Sequence, residues 1–321
     1  MAYGIDLWFK SKKVVVVILM DTYNIKSAVT GLVVGDALGV PFEFKSKREL
    51  LENPCTGMVG YGTWNQPKGT WSDDTSMTLA TMDSVIRNNG EINYEGIMQN
   101  FTRWLVNDEF TQYNNTFDVG STTLRAIENY ILTGDALHCG FSDEYSNGNG
   151  SLMRILPLGF MGLDFETVSM VSSLTHAHER CQIACNFYVE IVKQLLNGDY
   201  ATFCDCVDNA SSIIQDYYKG SSELVHFQNI FSKDYSNVKS SGYVINTLES
   251  ALYCMRVGDG YKDTLLKAVN LGGDTDTVGA VCGGLAGLYY GFDDIPVEWV
   301  ECIPKLDYVF DLSDKFYNCI I

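Results

Sequence analysis

Positive charge is scarce in this sequence. Its 22 Lys and Arg stand against 40 Asp and Glu, a formal net charge of -18. Phosphate backbones are bound by clustered Lys and Arg, so this balance argues against nucleic acid as a partner. Membrane-length apolar runs are also missing. The run from Val14 to Met20, behind Lys10, Lys12 and Lys13, is much too short to cross a bilayer. Asp21, Tyr23 and Asn24 follow it where a signal peptide would carry a small-residue cleavage site. The ten cysteines form no CxxC pairs: Cys181 and Cys185, or Cys204 and Cys206, have the wrong spacing for a zinc framework. They read as reduced, mostly buried thiols in a cytoplasmic, reducing compartment. Alternation of apolar and polar residues is scarce, which speaks against a sheet, and no linker or internal repeat is evident.

What is present is helical periodicity. The chain is 46% hydrophobic, ample for a large core. Helices are expected over Ile25 to Leu38, from Ser72-Asp73-Asp74 through Ile86, over Ile97 to Val106, and over Thr122 to Leu132. Further ones are expected over Val168 to Leu174, Ile183 to Leu196, Tyr200 to Tyr218, Val244 to Met255, Tyr261 to Asn270 and Thr277 to Tyr290. The segment from Ser221 to Ser241 reads as a surface excursion. The expectation is a compact, all-α, single-domain monomer over residues 23–321. Residues 1–22 are read as an extension, with Met20 as an alternative start.

Two segments carry more polarity than a helix start requires: Trp71-Ser72-Asp73-Asp74-Thr75 and Gly272-Gly273-Asp274-Thr275-Asp276-Thr277. One carboxylate caps free N–H groups and suits the helix dipole. Paired carboxylates with flanking hydroxyls exceed that need. If the two starts meet, each like-charge pair at about 4 Å costs roughly 4 kcal/mol at an effective dielectric of 20. Divalent cations would reverse that sign. With no His or Cys in either segment, hard oxygen ligands select Mg²⁺, Mn²⁺ or Ca²⁺ over zinc. Gly279, Gly283, Ala286 and Gly287 form a smooth strip on the last of these helices. Glycine costs about 1 kcal/mol per helical site relative to alanine, so the strip implies a close backbone approach at the protein's centre.

The chain resembles the ADP-ribosylglycohydrolase family from about Ser27 to Gly291. The resemblance rests on Gly35-Asp36-Ala37-Leu38-Gly39 with Glu43, on Trp71 to Thr75, and on Gly148-Asn149-Gly150-Ser151-Leu152-Met153-Arg154. It continues through Leu174-Thr175-His176-Ala177, Gly242-Tyr243-Val244 with Thr247-Leu248-Glu249, and Gly272 to Thr277. It implies a helical fold with a dinuclear metal cleft that hydrolyses the N- or O-glycosidic bond between ADP-ribose and a modified residue or small acceptor. By the same resemblance, Ser72, Asp73, Asp74, Asp274, Asp276 and Thr277 hold two Mg²⁺ (or Mn²⁺) ions. Glu43 matches the family's mobile glutamate and is the favoured acid–base group, with Asp74 as the other catalytic candidate. The family more often has Thr where Ser72 stands, and the hydroxyl oxygen is kept.

Gly148, Asn149, Gly150 and Ser151 would cradle the pyrophosphate with backbone N–H groups and the Ser151 hydroxyl. His176 would touch substrate. Asp118, at the cleft mouth, is a candidate partner for a cationic leaving group such as arginine. His178 reads as exposed, and Asp36 and Arg154 as structural, a buried pair or a cap. The partners implied are an ADP-ribosylated protein or small molecule and free ADP-ribose as product, with no membrane. Two rival readings stay open: a two-metal phosphohydrolase, and a catalytically silent ADP-ribose-binding or structural member.

Overall fold

The computed structural model describes residues 22–198 and 200–321. The Val14 to Met20 run and the boundary expected at residue 22 lie at or outside the edge of that range. Among the described residues there is no strand; the elements are α-helices joined by loops and short 3-10 turns. Helix α1 covers residues 22–39 and tightens into a 3-10 turn at Val40–Phe42, where Pro41 ends the α-helical ladder. The whole stretch Thr22–Phe42 is long and apolar enough to cross a membrane, but it is buried inside the protein and is the core helix.

Then follow α2 (Lys47–Glu52), α3 (Asp73–Arg87), α4 (Tyr94–Asn107), α5 (Ser121–Thr133), α6 (Phe165–Ser173) and α7 (Glu179–Asn197). The second half contains α8 (Phe203–Tyr217), α9 (Gln228–Ser232), α10 (Val244–Val257), α11 (Tyr261–Val269), α12 (Thr275–Tyr290), α13 (Val297–Val300) and α14 (Leu306–Ile320). All the expected helices are found within a few residues of their expected ends. Helix α14, which packs on α3 and buries Val309, Leu312 and Phe316, was not anticipated.

Helices α1 and α12 cross with their backbones in contact. A Cβ placed on Gly35 would lie 2.1 Å from the carbonyl oxygen of Gly279, and one on Gly283 would lie 2.3 Å from that of Gly31. Farther along, a Cβ on Gly39 would sit 2.4 Å from the Cα of Asp276. The glycine strip read on α12 is thus matched by Gly31, Gly35 and Gly39 on α1. Because the two helices touch down to Gly39, the acidic start of α12 is seated beside the end of α1 and the turn that carries Glu43.

The segment from Ser221 to Ser241 is largely exposed, as expected of a surface excursion, but it is pinned to the core at two points. Its 3-10 turn at Ser222–Phe227 and the short α9 bury Phe227 completely and Ile230 almost so. Burying a phenylalanine stabilises by roughly 1.5–3 kcal/mol, which ties the segment to the core and brings Ser240 and Ser241 to the wall of the cleft.

Candidate active site

The start of α3 is anchored from α1. Asp36, fully buried, accepts from the backbone N–H of Ser72 at 3.0 and 3.1 Å, from the N–H of Thr75 at 3.0 Å, and from the Thr75 hydroxyl at 2.6 Å. It serves as a remote helix cap. Its caps-or-pair expectation therefore resolves to a cap. Arg154 instead stacks 4.7 Å from the Phe101 ring centroid and donates to Val171 O and Thr175 Oγ1. With the amides satisfied by Asp36, Asp73 and Asp74 can turn into the interior.

The start of α12 is clamped to the turn after α1. Phe44 N–H donates to Gly273 O and Gly273 N–H donates to Lys45 O, both at 2.7 Å. Gly272 and Gly273 hold φ of 75° and 74°, a left-handed pair that side chains would strain. The two acidic starts meet: the Thr277 hydroxyl lies 3.4 Å from Asp74 Oδ2. Ser72 Oγ donates to the same oxygen at 2.9 Å. Asp276 Oδ1 accepts from the N–H of Thr277, and Asp274 Oδ2 accepts from Asn149 Nδ2 at 2.8 Å.

Asp118, half-buried, lines the cleft and also borders this chamber. Carboxylate oxygens of Glu43, Asp118 and Asp276 lie within 4.8 Å of one another. Asp118 holds φ of 58°, an αL position that Asp tolerates better than most residues.

The electrostatics are those of anions lacking a counter-charge. Burial first, and then the neighbouring carboxylates, push Asp73, Asp74 and Asp276 well above the ordinary aspartate range. Burial raises Asp36 to about 7; burial and Asp118 raise Glu43 to about 9. No Lys or Arg lines the cleft among the described residues. His176 offers no charge, because burial and then Arg154 lower its imidazole to about 3. Asp74 Oδ1, Asp274 Oδ1 and Asp276 Oδ2 are buried with no hydrogen-bond partner. Such orphaned anionic oxygens are costly, and an all-oxygen set of this kind fits hard divalent cations.

Above the chamber opens a cleft of about 570 Å³, a size suited to a small-molecule ligand. One wall is the loop Gly148 to Gly150, held by Asn149 N–H to Gly242 O at 3.0 Å and by Val244 N–H to Asn147 O at 3.1 Å. His176 lies beneath it. A Cβ on Gly150 would come within 2.7 Å of His176 Cε1, and one on Gly148 within 3.3 Å of Nε2. The His176 Nδ1 pairs with the Thr175 hydroxyl at 2.8 Å. The start of α5, Gly120 to Thr123, whose N-cap glycine supplies no side-chain cap, adjoins that loop, with Thr123 Oγ1 beside Gly150.

One expected contact is corrected. Ser151 is fully buried and accepts from Ser172 Oγ at 2.9 Å and Cys185 Sγ at 3.4 Å, so its hydroxyl faces the core rather than the cleft. His178 is likewise not exposed: it caps α7, accepting from Arg180 N–H at 3.1 Å. The cysteines are free and mostly buried. Sequence reasoning missed Thr122, Thr123, Ser240 and Ser241 in the cleft walls. The only signal for the first two was their place at a helix start.

Comparison with known proteins agrees with this geometry. The family model described as ADP-ribosylglycohydrolase matches residues 21–320. The chain is 30% identical over 297 residues to the ADP-ribosylarginine hydrolase Tri1 of Serratia proteamaculans, covering 91% of this chain and 78% of that protein. It is 33% identical over 287 residues to the ADP-ribosyl-[dinitrogen reductase] glycohydrolase of Rhodospirillum rubrum, covering 87% and 89%. A solved structure titled ADP-ribosylglycohydrolase-related protein complex superposes with a TM-score of 0.74 at 28% identity, covering 94% of this chain and 99% of that one.

Proposed function

The chain belongs to the ADP-ribosylglycohydrolase family, and from that premise we propose that it removes ADP-ribose from arginine side chains by hydrolysis dependent on Mg²⁺ or Mn²⁺. The observation that carries the reading is the acidic chamber with orphaned oxygens on Asp74, Asp274 and Asp276, at the foot of a cleft that no Lys or Arg lines among the described residues. Ser72, Asp73, Asp74, Asp274, Asp276 and Thr277 are the residues we assign to hold two divalent cations, and Asp118 and Glu43 stand close enough to join them. When bound, such ions act as Lewis acid and template for ribose hydroxyls and water.

The protein's own groups do the rest. Gly148, Gly150 and the uncapped start of α5 offer backbone N–H groups to the pyrophosphate, which suits an anionic ligand in an acidic protein because the contacts are local and neutral. Neutral His176 supports that loop without adding charge. Glu43 takes the proton from the attacking water and passes it to the guanidine nitrogen, which leaves with the electron pair of its bond to the anomeric carbon, that carbon having oxocarbenium character. Asp118 faces the departing guanidinium. An arginine leaving group is favoured by the acidic surroundings of Glu43 and Asp118 and by the named activity of the Serratia relative. The free thiols support a cytoplasmic setting.

The test is release of free ADP-ribose from ADP-ribosylated arginine, serine and acetyl substrates with Mg²⁺, with Mn²⁺ and with EDTA. Metal-dependent release from the arginine substrate alone is expected. Release from serine or acetyl instead would overturn the leaving group, and release unaffected by EDTA would overturn the metal role. ADP-ribose binding without release from any substrate would favour a silent binding protein. The phosphohydrolase alternative lacks the basic clamp it needs for phosphate.

A further inference from the structure

Glu43 is held differently from the other chamber carboxylates. Asp73, Asp74 and Asp276 hang from the first turns of α3 and α12, where the helix fixes their direction. Glu43 follows a 3-10 turn of only three residues, and Phe44 after it sits at φ of 63° with most of its ring exposed. Its longer side chain stands among Asp118, Asp274 and Asp276, so once ionised it is repelled and has reason to swing outward.

A separate turn opposes that swing. Gly62–Trp64 forms a 3-10 turn closed by the bridge between Tyr61 and Gln66. It docks by backbone contact on the segment before Glu43: a Cβ on Gly62 would lie 2.1 Å from Pro41 O. The Thr63 hydroxyl donates to the Glu43 carbonyl at 2.7 Å, and the Trp64 indole N–H donates to the Glu43 carboxylate. The indole packs against two further rings, Phe44 at 6.1 Å and Phe117 at 5.6 Å between centroids. Phe117 precedes Asp118, so one indole ties together the segments that carry two of the chamber's acids.

We propose that Trp64 is a positioning residue whose indole N–H keeps the Glu43 carboxylate turned into the chamber. The role rests on the reading of this cleft as a hydrolase site. Indole suits it chemically. It donates but cannot accept, and it carries no proton that it can lose at ordinary pH. It therefore steers a carboxylate without cancelling the charge that cations need, which a Lys or Arg would do. A hydrogen bond to a charged group is stronger than a neutral one, and the aromatic neighbours fix the donor's direction.

The experiment has two arms on the full chain. In the first, indole N–H signals are recorded by ¹H–¹⁵N spectroscopy; the sequence has five tryptophans, and Trp64→Phe identifies the signal of Trp64 by its loss. In Glu43→Ala that signal is expected to shift more than the other indole signals. An unmoved signal overturns the contact and the proposal with it.

In the second arm, Trp64→Phe keeps the ring packing and removes the donor. It is expected to lower kcat about tenfold or more, by the usual strength of a charge-assisted hydrogen bond, with KM changed little. In a Glu43→Gln background the same substitution should add no further loss, since both act through one carboxylate. An equal further loss in that background would overturn the positioning role and mark Trp64 as generally structural. If the unsubstituted protein releases ADP-ribose from no substrate, the hydrolase reading fails, and the spectroscopic arm still decides whether Trp64 holds Glu43.

Discussion

The inner and outer halves of the site are built on opposite principles. The inner chamber hangs from helix starts whose backbones are locked together: α12 lies on α1 glycine to glycine, and α3 is capped by Asp36 of α1. The outer walls are built largely from loops, namely Phe44, Asp118 to Gly120, Gly148 to Gly150 and Ser240 to Gly242, together with the first turn of α5. Phe44 and Asp118 among them hold a positive φ without being glycine. A rigid frame lets closely spaced carboxylates persist despite repulsion. Loops around it can vary in sequence and shape without disturbing that frame.

The largest expected effect comes from prising the frame apart. Gly279→Val would force a Cβ to within 2.3 Å of Gly35 O, where only helix separation could relieve it. Overpacking costs about 1–3 kcal/mol or more even where side chains can yield, and here the obstacle is backbone. Thermal melting should show a large loss of stability, or the variant should fail to fold. A variant with unchanged melting would mean that the contact between α1 and α12 does not set the frame.

Next in size is the charge the frame tolerates. Asp276→Asn keeps the acceptor for the Thr277 N–H while removing one buried anion. Activity should fall by at least about a hundredfold, given that metal-ion catalysis is worth several kcal/mol. Metal-free stability should rise, and the gain in melting temperature on adding Mg²⁺ should shrink. Activity and apo stability moving in the same direction would refute the view of the chamber as an anion cluster awaiting cations.

The pH dependence gives a smaller, graded version of that result. The folded-state values of Asp36 and Glu43 are raised, to about 7 and about 9. The native state therefore binds more protons than the unfolded chain over this range, and stability declines as pH rises. The contribution is fully present below about pH 4, near the ordinary carboxyl values, and is lost as pH climbs through about 7 and then about 9. Melting of the EDTA-treated protein should fall from pH 5 to pH 9. With saturating Mg²⁺ the slope should be shallower, and an identical slope would show that the cations do not bind among these groups.

The inner half was the legible half of the sequence, for a physical reason. Ser72-Asp73-Asp74 and Asp274 to Thr277 announce themselves locally, because capping polarity and the apolar period that follows lie within one or two turns. The glycine strip on α12 was equally local. Its partners Gly31, Gly35 and Gly39 make their contacts more than two hundred positions away in the chain, where periodicity carries no information. The outer half depends on such distant choices. Asp118 is a lone acid in a loop, and its backbone conformation, not its neighbours in sequence, turns it into the chamber. Phe227 and Ile230 anchor the otherwise exposed 221–241 segment to the core, a pair of contacts that the polar residues around them conceal.

The glycine-rich loop is where the two halves touch, and it yields the smallest and most discriminating prediction. Read from sequence, its four residues were equivalent candidates for holding pyrophosphate. In the structure they divide: Gly148, Asn149 and Gly150 line the cleft, while Ser151 turns its hydroxyl toward Ser172 and Cys185. Gly150→Ala would bring a methyl to 2.7 Å from His176 Cε1 and 2.9 Å from Thr123 Oγ1, pushing the loop away from its support and from the start of α5. Calorimetric affinity for ADP-ribose in the presence of Mg²⁺ should weaken by about tenfold, roughly 1.4 kcal/mol. Ser151→Ala should leave that affinity within about twofold, well under 1 kcal/mol, and act instead on stability, because it strips a buried hydroxyl from its partners. The reverse ranking would mean that the hydroxyl reaches the ligand by a loop movement, and that the outer wall is reorganised on binding while the inner frame stays fixed.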